Sequence, residues 1–316
     1  MEYGWERTFP FLEIDSDKIG KLFEGVLEEK NIVSVMKVNE GCRTTNYIVQ
    51  SDQLNKKYIL KIFLSTDQEH KKEIKLLKQL ANNSIFPVSK IYKFSTHELI
   101  QGREYAIYEY LEGSTLGKAI NEGYLLEESF VREAARALAQ IHSHEFNKVG
   151  FLDENLNIAE ELPPLSLWYE ISMGDKAKER LGKSIVEKIN TVVKENEKIL
   201  TKLDEDIRLV HGDFQGTNIL IKDGKLAGIL DWEFAMAGHP LADIGQFFRY
   251  EECFNSKLIK TFAEEYNKNS SYKLMKDWYK ISKVRDLVNL IQLIDTEEDM
   301  PTKHANIKKI ISNNLE

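Results

Sequence analysis

Cysteine is nearly absent from this chain: Cys42 and Cys253 are the only two in 316 residues. That excludes a disulfide-stapled scaffold and a cysteine-ligated zinc module, which draw on more cysteines than this. Long apolar runs are missing as well. No stretch of about 18 apolar residues occurs, so no membrane-spanning helix is expected. Charges are spread through Met1 to Asp15 with no apolar centre, which argues against a secretory leader and for a soluble, cytoplasmic protein. Positive charge is in deficit, with a net charge of −8 and a pI near 5.6. Neither nucleic acid nor an anionic membrane surface is therefore an expected partner. The glycine-rich phosphate motifs are absent in their full forms. No G-x-G-x-x-G occurs, and Gly182-Lys183-Ser184 mimics only the end of a P-loop, because Ala177 stands where the first glycine belongs.

What is present is an ordinary globular composition, 42% hydrophobic, with a length that suggests two units of roughly 150 residues each. The densest information lies in His211-Gly212-Asp213-Phe214-Gln215-Gly216-Thr217-Asn218 and the later Asp231-Trp232-Glu233. Asn218 to Asp231 reads as two apolar strands joined by Asp223-Gly224, a strong hairpin signal because both turn positions need positive φ. Counting back from that turn sets Asn218 opposite Ile229, with Asp231 just beyond it at the same open end. Two oxygen ligands side by side suit a hard cation such as Mg²⁺, which keeps several waters. Asp213, Asn218 and Asp231 stand in the order phosphoryl transfer needs: a base for an acceptor hydroxyl, then two metal ligands.

Upstream, residues 33–63 alternate like strands around a polar loop that contains Gly41, Arg43 and Thr44, whose backbone N–H groups can fold over phosphates. Lys61 lies in an apolar strand, where a lysine needs a partner. A capping box of Thr66 and Glu69 opens a helix. Along it Glu73, Leu76, Leu77 and Leu80 share one face, so the Glu73 carboxylate points inward. Glu73 is the expected partner of Lys61, with Glu69 as the alternative one turn earlier.

The Asp-x-x-x-x-Asn spacing matches the catalytic loop of protein kinases, with Asp231 in the place of the later magnesium-binding aspartate. Gly212 replaces the arginine of that loop, and Trp232-Glu233 replaces Phe-Gly. In this variant form, and in the block Gly238-His239-Pro240-Leu241-Ala242-Asp243-Ile244-Gly245, the chain resembles the aminoglycoside phosphotransferase family of kinase-like enzymes. The resemblance covers about residues 30–250. It implies an α+β, bilobal protein-kinase-like fold, with a β-rich N-lobe over 1–111 and a mainly helical C-lobe over 112–316.

The resemblance also implies a Mg²⁺-dependent transfer from ATP or GTP to an alcohol. Asp213 is then the catalytic base, and Asn218 and Asp231 hold the metal. Lys61, Glu73, Gly41, Arg43 and Thr44 serve the phosphates, and the backbone around Glu109 to Leu111 serves the base. Asp243 is expected to brace the catalytic loop. Only eleven residues separate Asp231 from Asp243, too few for the activation segment of a protein kinase, so a small-molecule acceptor is expected.

Among family acceptors, an aminoglycoside or related cationic antibiotic fits the acidic balance. Choline, homoserine, methylthioribose and macrolides are the alternatives, and a silent nucleotide-binding module is the alternative of another class. Glu233, Glu251 and Glu252 are the candidate acceptor contacts, while the acidic run Asp295–Asp299 reads as a solvated helix end. Helices are expected over residues 127–144, through the charged stretch within 150–204, and over 255–315.

Overall fold

Alternating burial builds the first sheet. In the computed structural model, which describes residues 4–27, 31–38, 43–52, 55–64 and 69–315, helix α1 (Ser16–Leu22) precedes strands β1 (Ile32–Val38), β2 (Thr45–Ser51) and β3 (Lys57–Ile62). Every second residue of β2 is buried, the period-2 signature of a strand with one covered face. Helix α2 (Glu69–Asn83) crosses to β4 (Ile91–Thr96) and β5 (Glu104–Glu109). The five strands form an antiparallel sheet in the order β1-β2-β3-β5-β4. The Thr66 half of the expected capping box lies outside the described residues.

The chain then leaves the sheet through β6 (Ser114–Thr115) into α3 (Leu116–Asn121) and α4 (Glu128–Ile141). Phe130, Ala134, Leu138 and Ile141 of α4 are all buried, as their helical spacing requires. Two short strands precede Pro163-Pro164, and the long helical region expected after it divides into four helices. Strands β7 (Gly150–Leu152) and β8 (Ile158–Glu161) come first, then α5 (Leu165–Ser172), α6 (Asp175–Leu181), α7 (Lys183–Glu195) and α8 (Glu197–Lys202). Gly182, at φ 81°, stops α6 and turns the chain, a conformation costly for any residue with a Cβ.

Strands β9 (Arg208–Val210), β10 (Ile219–Lys222), β11 (Lys225–Ile229) and β12 (Met236–Gly238) frame the segment from His211 to Asn218. Helices α9 (Leu241–Phe247), α10 (Ser256–Asn269), α11 (Trp278–Ile294) and α12 (Pro301–Asn314) complete the chain. The β10–β11 hairpin turns at Asp223 and Gly224, with φ of 51° and 73°, as the type I′ signal demands. Its register corrects the simple count: Ile219, not Asn218, lies opposite Ile229. The cause is a bulge. Ile221 pairs with Leu226 and Leu220 with Gly228, so Ala227 is an extra residue and everything beyond shifts by one. The Leu230 N–H consequently reaches the Asn218 carbonyl at 2.8 Å, and Asp231 follows directly.

Two apolar clusters result. The smaller, with Ile19, Phe23, Tyr47, Leu60 and Tyr105, is sandwiched between α1 and one face of the sheet. The larger takes in Phe63, Leu77 and Tyr108 from the sheet and α2, and runs without a break into α4, α9, α10 and α11. No helix among the described residues is long and apolar enough to cross a membrane.

Candidate active site

The segment after β9 is tied down from below by α9. Both carboxylate oxygens of Asp243, itself fully buried, receive backbone N–H groups: His211 at 2.7 Å and Gly212 at 2.9 Å. His142 Nε2 meets the same carboxylate at 3.1 Å. One turn along α9, Gln246 accepts from Phe214 N–H and donates to the Gly212 carbonyl, each at 2.7 Å. Gln215 receives Arg249, whose guanidinium makes two 2.8 Å bonds to Asp286 of α11. Gly212 has φ 80°, and a Cβ there would lie 2.2 Å from the Phe234 carbonyl oxygen. That close approach explains why glycine stands where kinase loops carry arginine.

His211 is held as a neutral ring. Its Nε2 must donate to the Leu230 carbonyl at 2.9 Å, which leaves Nδ1 to accept the Asp213 N–H at 3.2 Å. Burial lowers its pKa in the same direction. Asn218 Nδ2 donates to Asp213 twice, to Oδ2 at 2.6 Å and to its carbonyl at 3.0 Å. The Asp213 carboxylate is thereby fixed in orientation, while the Asn218 amide oxygen makes no hydrogen bond among the described residues.

The second group gathers around Lys61, only 4% exposed. Its ammonium lies 3.1 Å from Glu73 and 2.9 Å from Asp231, so a strand, a helix and the loop after β11 meet at one nitrogen. Glu73, rather than Glu69, is the α2 carboxylate in contact. Asp231 adopts φ 55°, an unusual backbone for a residue with a Cβ, which turns its carboxylate toward Lys61. Burial pushes Lys61 down, but Asp231 and Glu73 together hold its pKa well above the usual value. Lys61 in turn depresses Asp231. Burial raises Glu73, against the pull of Lys61. Glu233 shares this field: burial, with Asp231 and Glu73 nearby, lifts it to about 7 despite Lys61. Two carboxylates thus contact one buried ammonium, and Glu233 lies in the same field.

Of the expected nucleotide contacts, Gly41 lies outside the described residues. Arg43 acts electrostatically on Glu233, and Thr44 sits at the mouth of β2 with its hydroxyl 3.5 Å from Asn46. Glu109 has its N–H on the Lys90 carbonyl and its own carbonyl on Ser89 Oγ, both at 2.7 Å. Leu111 differs: its backbone N–H is unpaired among the described residues, and its side chain covers Gly228 of β11.

A model of the phosphotransferase enzyme family matches residues 34–278. The chain belongs to that family. Solved structures agree on the fold. A thermostable mutant of aminoglycoside phosphotransferase APH(4)-Ia, in complex with ADP and hygromycin B, superposes with a TM-score of 0.65 at 15% identity over 94% of this chain and 98% of that one. Choline kinase LicA from Streptococcus pneumoniae gives 0.63 at 20% identity, over 95% and 98%. Macrolide 2'-phosphotransferase MphH from Brachybacterium faecium gives 0.65 at 14%, over 93% and 98%. The chain thus has the bilobal, protein-kinase-like α+β fold. Among curated relatives, acyl-CoA dehydrogenase family member 11 of Gallus gallus is 24% identical over 176 residues, 54% of this chain and 22% of that protein. Probable acyl-CoA dehydrogenase IBR3 of Arabidopsis thaliana is 21% identical over 222 residues, 68% and 26%. The chain spans about a quarter of the length of these relatives.

The acceptor contacts expected from the sequence are divided between two places. The three candidate contacts do not sit together: Glu233 faces the Lys61 cluster, while Glu251 and Glu252 line a cleft of about 500 Å³ with Phe254, Tyr279, Lys309 and Asn313. Lys283 forms an ion pair with Glu251. Asp295 caps α6 by accepting Ala177 N–H at 2.9 Å, and Arg180 binds the carbonyls of Ile294 and Thr296, so this acidic run anchors a helix. Trp168 and Trp278 are core residues, 8% exposed.

Sequence reading passed over several groups of the site. Lys72, buried beside Glu69, Glu233 and Glu73, has its pKa lowered by that burial. Its place next to Glu73 in α2 was a usable signal. Gln246, three residues after Asp243 on one helical face, was another. The Arg249–Asp286 pair joins residues 37 apart, and no local pattern announces it.

Proposed function

We propose that this chain moves the γ-phosphoryl group of ATP or GTP to a hydroxyl of a small molecule. The observation that carries the reading is the meeting of Lys61, Glu73 and Asp231 at one nitrogen, next to a loop in which Asn218 orients Asp213. The proposed division places residues 1–111 in the nucleotide lobe and 112–316 in the catalytic and acceptor lobe. Lys61 binds the phosphates and Glu73 holds Lys61 in place, with Arg43, Thr44 and Gly41 over the phosphates. The unpaired Leu111 N–H is suited to a ring nitrogen of the nucleobase. Asp213 accepts the proton of the acceptor hydroxyl as its oxygen bonds to phosphorus, and the nucleoside diphosphate leaves.

The residues fit Mg²⁺. The Asn218 amide oxygen makes no hydrogen bond among the described residues, and the Asp231 carboxylate is half exposed, so both can offer an oxygen to a hard cation. Among the described residues no three acidic, histidine or cysteine side chains form a closed metal cage. Such a set suits a cation that takes few protein ligands and completes its shell with phosphate and water. When bound, the ion supplies charge neutralisation on the β- and γ-phosphates.

The acceptor proposed first is an aminoglycoside or related hydroxyl-bearing amine, recognised in the cleft of Glu251 and Glu252. That cleft is joined to the catalytic loop through the chain. Glu251 follows two residues after Arg249, which binds Gln215, and Tyr279 lies about 10 Å along α11 from Asp286.

A coupled ADP- and GDP-release assay tests the proposal across aminoglycosides, hygromycin B, macrolides, choline, homoserine and methylthioribose. Turnover with one acceptor, lost in Asp213→Asn, supports it. Nucleotide binding with no turnover on any acceptor favours a silent binding module, and labelling of protein substrates favours a protein kinase.

A further inference from the structure

The segment before α1 touches both halves of the molecule within two consecutive residues. Glu6 accepts the N–H groups of Thr302 at 2.9 Å and Lys303 at 3.2 Å, the first turn of α12. The N-cap of α12, Met300, has no side chain able to cap, and Pro301 lacks an N–H. Glu6 therefore supplies from far away in sequence the cap that α12 lacks locally. Hydrogen bonding from Thr302 holds the Glu6 carboxyl at about 2, so it remains charged against the helix N-terminus at neutral pH. Trp5 packs on the larger apolar cluster with Lys303 5.6 Å from its ring.

The next residue belongs to the other half. Arg7 Nη2 donates to the Thr44 carbonyl at 2.8 Å, at the point where the proposed phosphate loop enters β2. Its guanidinium lies 5.4 Å from the Phe11 ring, and Phe11 packs edge-on to Tyr47. The Leu12 N–H then reaches Thr45 Oγ1 at 2.9 Å and the Ile14 N–H reaches Tyr47 at 3.1 Å, while Tyr47 donates to the Leu12 carbonyl. Consecutive Cα atoms are about 3.8 Å apart. With one anchor on α12 and the next on β2, separation of the two halves must break the Glu6 bonds or the Arg7 bond.

We propose that Trp5–Ile14 is an inter-lobe strap, in which Glu6 and Arg7 act in series as positioning residues for the phosphate loop. Nothing about it requires Glu6 or Arg7 to touch substrate. The strap fixes the Thr44 carbonyl relative to the acceptor lobe, and so limits how far the cleft above Lys61 opens. Its link to affinity rests on the nucleotide reading above, whereas its link to β2 does not.

Two measurements separate these layers. Calorimetric titration of Mg–ADP and Mg–GDP into the full chain compares Glu6→Ala, Arg7→Ala and the double variant. Devices in series predict that each single change weakens binding by the same factor, on the order of fivefold, with no further loss in the double variant. Partial recovery in Arg7→Lys is also expected. Unchanged affinity, or losses that multiply, would overturn the strap. Hydrogen exchange without nucleotide is the second measurement. Glu6→Ala, although it touches only α12, must speed exchange of β2 amides; unchanged β2 protection overturns the strap whether or not nucleotide binds. Faster β2 exchange in a chain that binds neither nucleotide keeps the strap and removes the nucleotide reading. Glu6→Gln, which keeps the volume and one acceptor oxygen, replaces Glu6→Ala should the latter not fold.

Discussion

The two halves of the candidate site are held in opposite ways. Around His211 to Gln215 every anchoring group is satisfied: Asp243 takes two backbone N–H groups and His142, Gln246 donates and accepts, and Arg249 joins Asp286. Around Lys61 the groups are crowded instead: Glu73 and Asp231 contact one ammonium, Lys72 is buried close by, and Glu233 is lifted to about 7. The first arrangement is closed and needs nothing further. The second holds the Glu233 carboxyl well above its ordinary range, and a further cation beside it would lower it. A phosphoryl-transfer site benefits from both, a rigid base and a charge cluster that responds to metal and phosphate.

The largest effect expected from breaking one side alone is on turnover. Asp213→Asn should lower kcat about 10²- to 10⁴-fold while leaving Mg–nucleotide affinity within about twofold. Near-normal turnover would remove Asp213 from the base role. Asp243→Ala attacks the closed frame itself and strands two buried N–H groups, each worth about 1–3 kcal/mol. Urea denaturation should show a loss of about 3 kcal/mol; a loss under about 1 kcal/mol would mean that the loop holds without this brace.

On the other side, Asp231→Ala should weaken Mg-dependent nucleotide binding at least about tenfold, or roughly 1.4 kcal/mol, with a far smaller change when magnesium is chelated. A variant that binds nucleotide as tightly as wild type in the presence of magnesium would remove Asp231 as a ligand. The smallest effect is a pH dependence. Glu233 titrates near 7 in the folded chain against 4.5 when unfolded, so the folded state binds the extra proton between those values. Stability contributed by this group therefore falls as pH rises through that window, and the penalty is complete above about 7. Glu233→Gln removes it, so the Tm of the variant relative to wild type should be higher at about pH 8 than at about pH 5, by roughly 1–3 °C. A reversed sign would show that Glu233 does not stand in the carboxylate cluster.

Much of this site was legible in the amino-acid sequence, wherever the chemistry is local. The turn at Asp223-Gly224, the Asp213–Asn218 spacing and the Glu73 stripe depend on neighbours within a few residues, and the structure has the turn, the Asn218–Asp213 hydrogen bonds and the Glu73–Lys61 ion pair. Local counting failed where one residue bulged out: Ala227 shifts the pairing of Asn218 from Ile229 to Leu230, and no composition signal marks a bulge. Nor did any local pattern mark β7 and β8, because such short strands exist only through partners elsewhere in the chain. Glu233 lies in the field of Lys61, Asp231 and Glu73, a grouping that no local pattern announces.

The sequence by itself determined the reaction-bearing motif, the hairpin that carries it and the helix face that answers Lys61, because periodicity and turn chemistry act over a few residues. Only the tertiary structure decided which carboxylates crowd one ammonium, which residues brace the loop from α9 and α11, and how Glu6 and Arg7 bridge α12 and β2. Those outcomes depend on burial and on contacts between distant segments, and both arise only when the chain closes around its core.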